Sequence, residues 1–311
     1  MPPTFDPTRR QLLTGLLATG GALLSGCEDT PADYQPGFTS TPPVSRNWTL
    51  SFGVHPLHNP QRLFEAYQPL VSYMTEHLPG LALRLEASRN YPEYERKLYA
   101  GHFDLALPNP LQTVQALDKG YRVFGKVGDD RDFCGILLVR RDSGIDSAQA
   151  LRGKSVSYPA RTALAATLLP QWVLHQHGIN LYKDIHNLYV GSQESSIMNV
   201  YRGHTAAGAT WPVPWRKFQE LHPEQAAELK ILWQSETLPN NSLMAHERVA
   251  PARVEQIAQL LFHLHENEKG RQILAGMGYS HFETANAATY RPVREFIERF
   301  ESEIGPIGAL P

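Results

Sequence analysis

Arg161 and Thr162 follow Pro159-Ala160 where a helix is expected to begin, so a guanidinium, a hydroxyl and uncapped backbone N–H groups meet at one helix start. A guanidinium in that setting makes a bidentate bond to a carboxylate or oxyanion. The alternative is an exposed arginine paired with an acid such as Glu194. In Gly191-Ser192-Gln193-Glu194-Ser195-Ser196, a dense polar run occupies a strand-to-helix turn. Gln193, Glu194 and Ser195 either reach a ligand there, or the run serves as a helix cap led by Ser192. Thr210, Trp211 and Trp215 belong to Ala209-Thr210-Trp211-Pro212-Val213-Pro214-Trp215, two indoles four residues apart stiffened by two prolines. That is either an aromatic wall for a flat, apolar or cationic ligand or a packing block between lobes. From the first half of the chain, Tyr91 and Asn109 complete the candidate ligand-binding set, with Tyr94, Asn59 and Arg89 on the same rim.

The chemistry expected of these groups is binding. His55 and His58 stand three apart around Pro56, but no carboxylate lies at ligand spacing, so neither a metal nor a cofactor is expected. No Gly-x-Ser-x-Gly elbow, phosphate-binding Walker loop, His-Glu-x-x-His or paired-carboxylate arrangement occurs. No catalytic residue is therefore assigned, and an enzyme is not expected. Lys and Arg number 29 against 31 Asp and Glu, a net charge of −2, which argues against a nucleic-acid partner. Two cysteines, Cys27 and Cys134, are too few for a disulfide framework. Cys134 reads either as a small core residue or as a thiol for a soft species.

These residues need elements to position them. Period-two alternation in Thr49-Leu50-Ser51-Phe52-Gly53-Val54 predicts a strand, broken by His55-Pro56 and Asn59-Pro60. Phe64, Tyr67, Leu70, Val71 and Met74 then recur at helical spacing up to Pro79-Gly80. The alternation continues through strands near residues 81–86, 103–107, 121–127 and 135–140. A second unit of the same kind follows Asp142-Ser143-Gly144, with a helix expected over residues 162–177, and the chain ends in helices. The pattern predicts an α/β protein of two lobes, each a mixed, mostly parallel sheet with flanking helices. Its ligand cleft lies between the lobes, where the carboxyl ends of strands place their loops. The expected divisions are residues 48–141 for the first part of lobe 1, 142–240 for lobe 2, and 241–311 for the return to lobe 1. Asn240 and Asn241 fall where the chain crosses back and serve either the hinge or the ligand, the hinge being favoured.

Residues 1–27 have the character of an export signal. Arg9-Arg10 precede an apolar stretch too short and too rich in Gly and Thr to span a membrane, and Leu24-Ser25-Gly26-Cys27 matches a bacterial lipobox. Export by a twin-arginine or general secretory route, and lipid attachment at Cys27, are expected. Residues 28–47, polar and rich in Pro and Thr, would be a tether of at most ~3.1 Å per residue.

Across residues 48–300 the chain resembles the periplasmic binding proteins of phosphate, phosphite and phosphonate ABC transporters, a branch of the type II periplasmic binding fold. The resemblance rests on Phe52-Gly53-Val54-x-Pro56, Tyr67-x-Pro69-Leu70, Gly101-x-Phe103-Asp104-Leu105-Ala106 and Leu151-Arg152-Gly153-Lys154. Gly191-Ser192-Gln193, Gly270-x-x-Ile273-Leu274 and Tyr290-x-Pro292-Val293 extend it. It implies a monomeric, lipid-anchored periplasmic protein that captures a small molecule and delivers it to an inner-membrane ABC permease. The alternative is a binding protein that presents its liganded state to a membrane sensor kinase. The family's helix-start Ser-Thr-Ser-Gly stretch is replaced here by Ala163-Leu164-Ala165-Ala166, and its histidine after Gly-Ser by Gln193. Its aspartate falls at Ala206 and its tyrosine near Thr113. The anion-holding hydroxyls expected of a phosphonate site are thus altered.

Overall fold

The computed structural model describes residues 48–311, so the expected signal segment 1–27, the lipobox cysteine Cys27 and the tether 28–47 lie outside the described residues. Two sheets organise these residues. The first runs β11-β4-β10-β3-β1-β2 and the second β7-β6-β8-β5-β9. In the first, β1 (Trp48–Val54) pairs in parallel with β2 (Leu81–Glu86) and β3 (Leu105–Leu107). The strand β10 (Ser242–His246) enters antiparallel between β3 and β4 (Tyr121–Val127), and β11 (Phe282–Glu283) closes the edge. In the second sheet β6 (Lys154–Tyr158) lies parallel to β7 (Ile185–Tyr189) and β8 (Ala207–Thr210). The strand β5 (Cys134–Arg140) runs antiparallel to β8 and to β9 (Leu229–Thr237). Antiparallel pairs appear where crossing segments bring the chain in from the other lobe.

The lobe boundary differs from the expected division at residue 141. β5 is hydrogen-bonded into the second sheet, so the outward crossing is residues 128–133 and the return is 238–241. The apolar run Gly135-Ile136-Leu137-Leu138-Val139 is buried on both faces and gives no signal of which sheet it joins. At the crossings, Asn240 Nδ2 donates to Asp129 O and Tyr290 Oη to Asn240 O. Those bonds tie the two crossings and the C-terminal helices together.

Helix starts are specified locally. Asn59, Asn90 and Asn109 each sit in extended backbone and cap α1 (Pro60–His77), α2 (Tyr91–Tyr99) and α3 (Pro110–Ala116). Pro60 and Pro110 at the first helical position sacrifice no hydrogen bond. The same logic applies to Pro212, which opens α6 (Pro212–Leu221), a segment the paired prolines had marked as a stiff loop. The helix expected over residues 162–177 runs as a π-helical turn, Leu164–Leu168, continuing into α4 (Leu169–Gln176). Gly135 permits its close approach to β5, since a Cβ there would stand 2.5 Å from Ala165 O and from Pro170 Cδ. Among the described residues no helix is long and apolar enough to cross a membrane.

Candidate functional site

The parallel strands deliver their carboxyl ends to the same side, and a narrow cleft lies between the two lobes there. His55 follows β1, Asn109 follows β3, residues 163–166 follow β6, and Gln193 opens the helix after β7, α5 (Gln193–Tyr201). Trp211 follows β8, while Phe133 and Asn241 come from the two crossings.

From lobe 1, His55 is buried with Nδ1 2.9 Å from Leu107 O, so Nδ1 carries the proton and Nε2 is left as an acceptor. Burial holds the ring neutral, pushed down to about 4. Tyr91 stands edge-on to it, with ring centroids 6.2 Å apart, and its phenol is kept protonated by burial; it lines the cleft opposite Gln193. Asn109, the cap of α3, turns its Nδ2 to Thr162 O at 3.1 Å, a second bridge between lobes. Asn241 is wholly buried, its backbone N–H bonded to Asn240 Oδ1, and its own Oδ1 has no partner.

From lobe 2, the helix start presents the backbone N–H groups of Leu164, Ala165 and Ala166, which precede the first helical bond and have no intrahelical acceptor. That bond is Thr167 N to Ala163 O at 2.8 Å. Aligned N–H groups at a helix start form a seat for an anion. Gln193 is buried, and Thr210 Oγ1 donates to its Oε1 at 2.9 Å, which fixes the side chain and leaves its Nε2 without a hydrogen-bond acceptor among the described residues. Trp211 packs on Phe133 with centroids 5.8 Å apart, an apolar wall beside the polar groups. No charged side chain lines the cleft among the described residues.

Of the residues expected from sequence, Tyr91, Asn109, Gln193 and Trp211 meet in this cleft, with Thr210 behind Gln193. The others stand elsewhere. The Arg161 guanidinium lies 4.1 Å over the Tyr189 ring and donates to Gly308 O at 3.3 Å, outside the cleft. Thr162 donates its hydroxyl to Glu95 Oε1, which also accepts from Gln112 Nε2, forming a latch at the cleft edge. Ser195 is spent on the cap, with Ser192 Oγ donating to its hydroxyl at 2.8 Å, and Glu194 faces His222 on the outer surface. Trp215 is turned away by the helix that begins at Pro212 and packs with Phe218 in the second lobe's core.

The four consecutive residues 163–166 line the cleft. Ala206, however, borders a depression with Lys154 and Ser155 at the amino ends of its strands, remote from the strand ends that form the cleft. Thr113 is buried against Asn109 O and Ser242 Oγ. Sequence reading missed His55 and Phe133 as cleft walls, and for Asn241 favoured the hinge over the ligand. Cys134 is buried in β5, its thiol pushed up to about 11 by burial and by Asp132, which makes it unreactive.

Two α/β lobes joined by crossing strands, with a polar cleft at their strand ends, define a type II periplasmic binding protein. The family model described as "ABC transporter, phosphonate, periplasmic substrate-binding protein" matches residues 52–290, and the chain belongs to that family. It is 18% identical over 254 residues to the phosphonates-binding periplasmic protein of Escherichia coli, covering 79% of this chain and 75% of that one. It is 24% identical over 173 residues to the tetrathionate sensor histidine kinase of Salmonella typhimurium, covering 53% of this chain and only 29% of the kinase. A binding protein component of an ABC phosphonate transporter from Pseudomonas aeruginosa superposes with a TM-score of 0.75 at 17% identity, over 81% of this chain and 86% of that one.

Proposed function

We propose that this protein captures a small molecule bearing one oxyanion group, a phosphonate or sulfonate, and delivers it to an ABC permease. The observation carrying this reading is the helix start at residues 164–166, whose N–H groups face an interlobe cleft walled by neutral donors and Trp211. With no cation in that wall, selection falls to backbone dipoles and to the Gln193 amide and the Tyr91 hydroxyl, while His55 Nε2 accepts only from a protonated ligand oxygen, which suits a weakly charged oxyanion better than a doubly charged one. An uncharged tail packs against Trp211 and Phe133, and the open Asn241 amide orients it. Closure is favoured by contacts made only when both lobes touch the ligand. Calorimetric titration with methylphosphonate, ethanesulfonate and acetate tests this. The two tetrahedral oxyanions should bind saturably, with Gln193→Ala weakening both about tenfold. Equal or absent binding of all three would overturn the assignment.

A second reading is favoured by the likeness to the sensor kinase: the same closure reports a ligand to a membrane receptor. Adding tetrathionate to the titration, and identifying which membrane protein is retained by the liganded form, separates the two. In either role the lipobox predicts an anchor on Cys27. Cys27→Ser should move the expressed protein from the membrane to the soluble fraction.

A further inference from the structure

A second, open pocket adjoins the cleft and shares Gln193 as a wall. It lies between the first lobe's loop and helix start, at His58 and Arg62, and the second lobe's helices, at Glu194, Lys217 and His222. Its character is the reverse of the inner cleft, because here the side chains are cationic. Among the described residues the half-buried Arg62 guanidinium makes no ion pair and no side-chain hydrogen bond; only its backbone N–H is engaged, by the Asn59 cap. His58 likewise has no hydrogen-bond partner, and burial, Arg62, His55 and Lys217 together push it down to about 3. Lys217 holds Glu220 at 2.7 Å, and the one lining acid, Glu194, stands at the exposed rim 3.8 Å from His222. An unpaired guanidinium held beside a neutral imidazole and an ammonium is an unfilled position for an acid.

We infer that the outer pocket is a subsite for a second acidic group, so that the preferred ligand is a diacid with one end on the helix start and the other on Arg62. This rests on the oxyanion reading of the inner cleft and extends it. A ligand passing Gln193 would bridge the lobes through both ends, since Arg62 belongs to the first lobe and residues 164–166 to the second. Bidentate geometry favours a carboxylate, sulfonate or phosphonate at the outer end.

The experiment compares two matched pairs by calorimetry: ethanesulfonate with ethane-1,2-disulfonate, and methylphosphonate with phosphonoacetate. The added acid should tighten binding ten- to a hundredfold in at least one pair. Arg62→Gln should bring that diacid back to the affinity of its monoacid, and Lys217→Gln should do so in part, with melting curves showing both variants folded. Monoacid binding with no gain in either pair overturns the outer subsite and spares the inner one. A gain that persists in Arg62→Gln also overturns it. No saturable heat from any of the four overturns both readings together.

Discussion

Gln193 is where the two lobes' polar groups converge. Thr210 fixes its carbonyl end, Tyr91 lines the same cleft, and it separates the neutral inner cleft from the cationic outer pocket. Its type and position were legible in the polar run after Gly191, because a buried glutamine at a strand-to-helix turn needs partners from outside its own helix. The two tryptophans were not separable in that way. Trp211 precedes α6 in extended backbone and faces the cleft, while Trp215 lies one turn inside the helix and faces Phe218. Substituting them should therefore give opposite results. Trp211→Ala should weaken ethanesulfonate binding severalfold with a modest change in melting temperature. Trp215→Ala should cost about 3–5 kcal/mol of stability, read by denaturant unfolding.

At the scale of elements, the decisive piece is the helix over residues 164–176. In its first turn the one hydroxyl, that of Thr167, donates to Ala160 O, so residues 164–166 offer only backbone N–H groups. Its position depends on Gly135 of β5, where any Cβ would collide with Ala165 O and Pro170. Gly135→Ala should push the helix start out of place and cost about 1–3 kcal/mol through overpacking. Binding of methylphosphonate should fall with it, whereas Gly276→Ala, whose Cβ meets open space without backbone strain, should leave affinity unchanged. The helix was visible in sequence from its apolar spacing. Its neighbour β5 was placed in the wrong lobe, because a continuously apolar strand carries no mark of which sheet receives it.

At the scale of the whole molecule, acid sensitivity of the fold follows from buried histidine. His55 holds its proton only near pH 4 in the folded chain, against an ordinary value of 6.5. Between those values the unfolded chain binds a proton that the folded chain does not, so stability is fully present above about pH 6.5 and is lost as pH falls toward 4. The contribution is at most about 3 kcal/mol, and His58 acts in the same direction. Melting temperature should thus decline over that window, and His55→Gln should flatten the decline. A profile unchanged by His55→Gln would show that other groups govern it.

The alternation of apolar strands and helices, the asparagine caps before Pro60 and Pro110, and the family motifs were all local or periodic signals. They determined two α/β lobes and the loops from which a site would be built. Only the tertiary structure decided which of those loops meet. Arg161 and Trp215 carry side chains as suitable for a ligand as any, yet one lies on Tyr189 and the other faces a core. His55, Phe133 and Asn241 become cleft walls because two crossings fold the lobes face to face. Side-chain type states what a residue is able to bond, whereas its direction is settled by packing between segments far apart in the chain, and no local pattern records that.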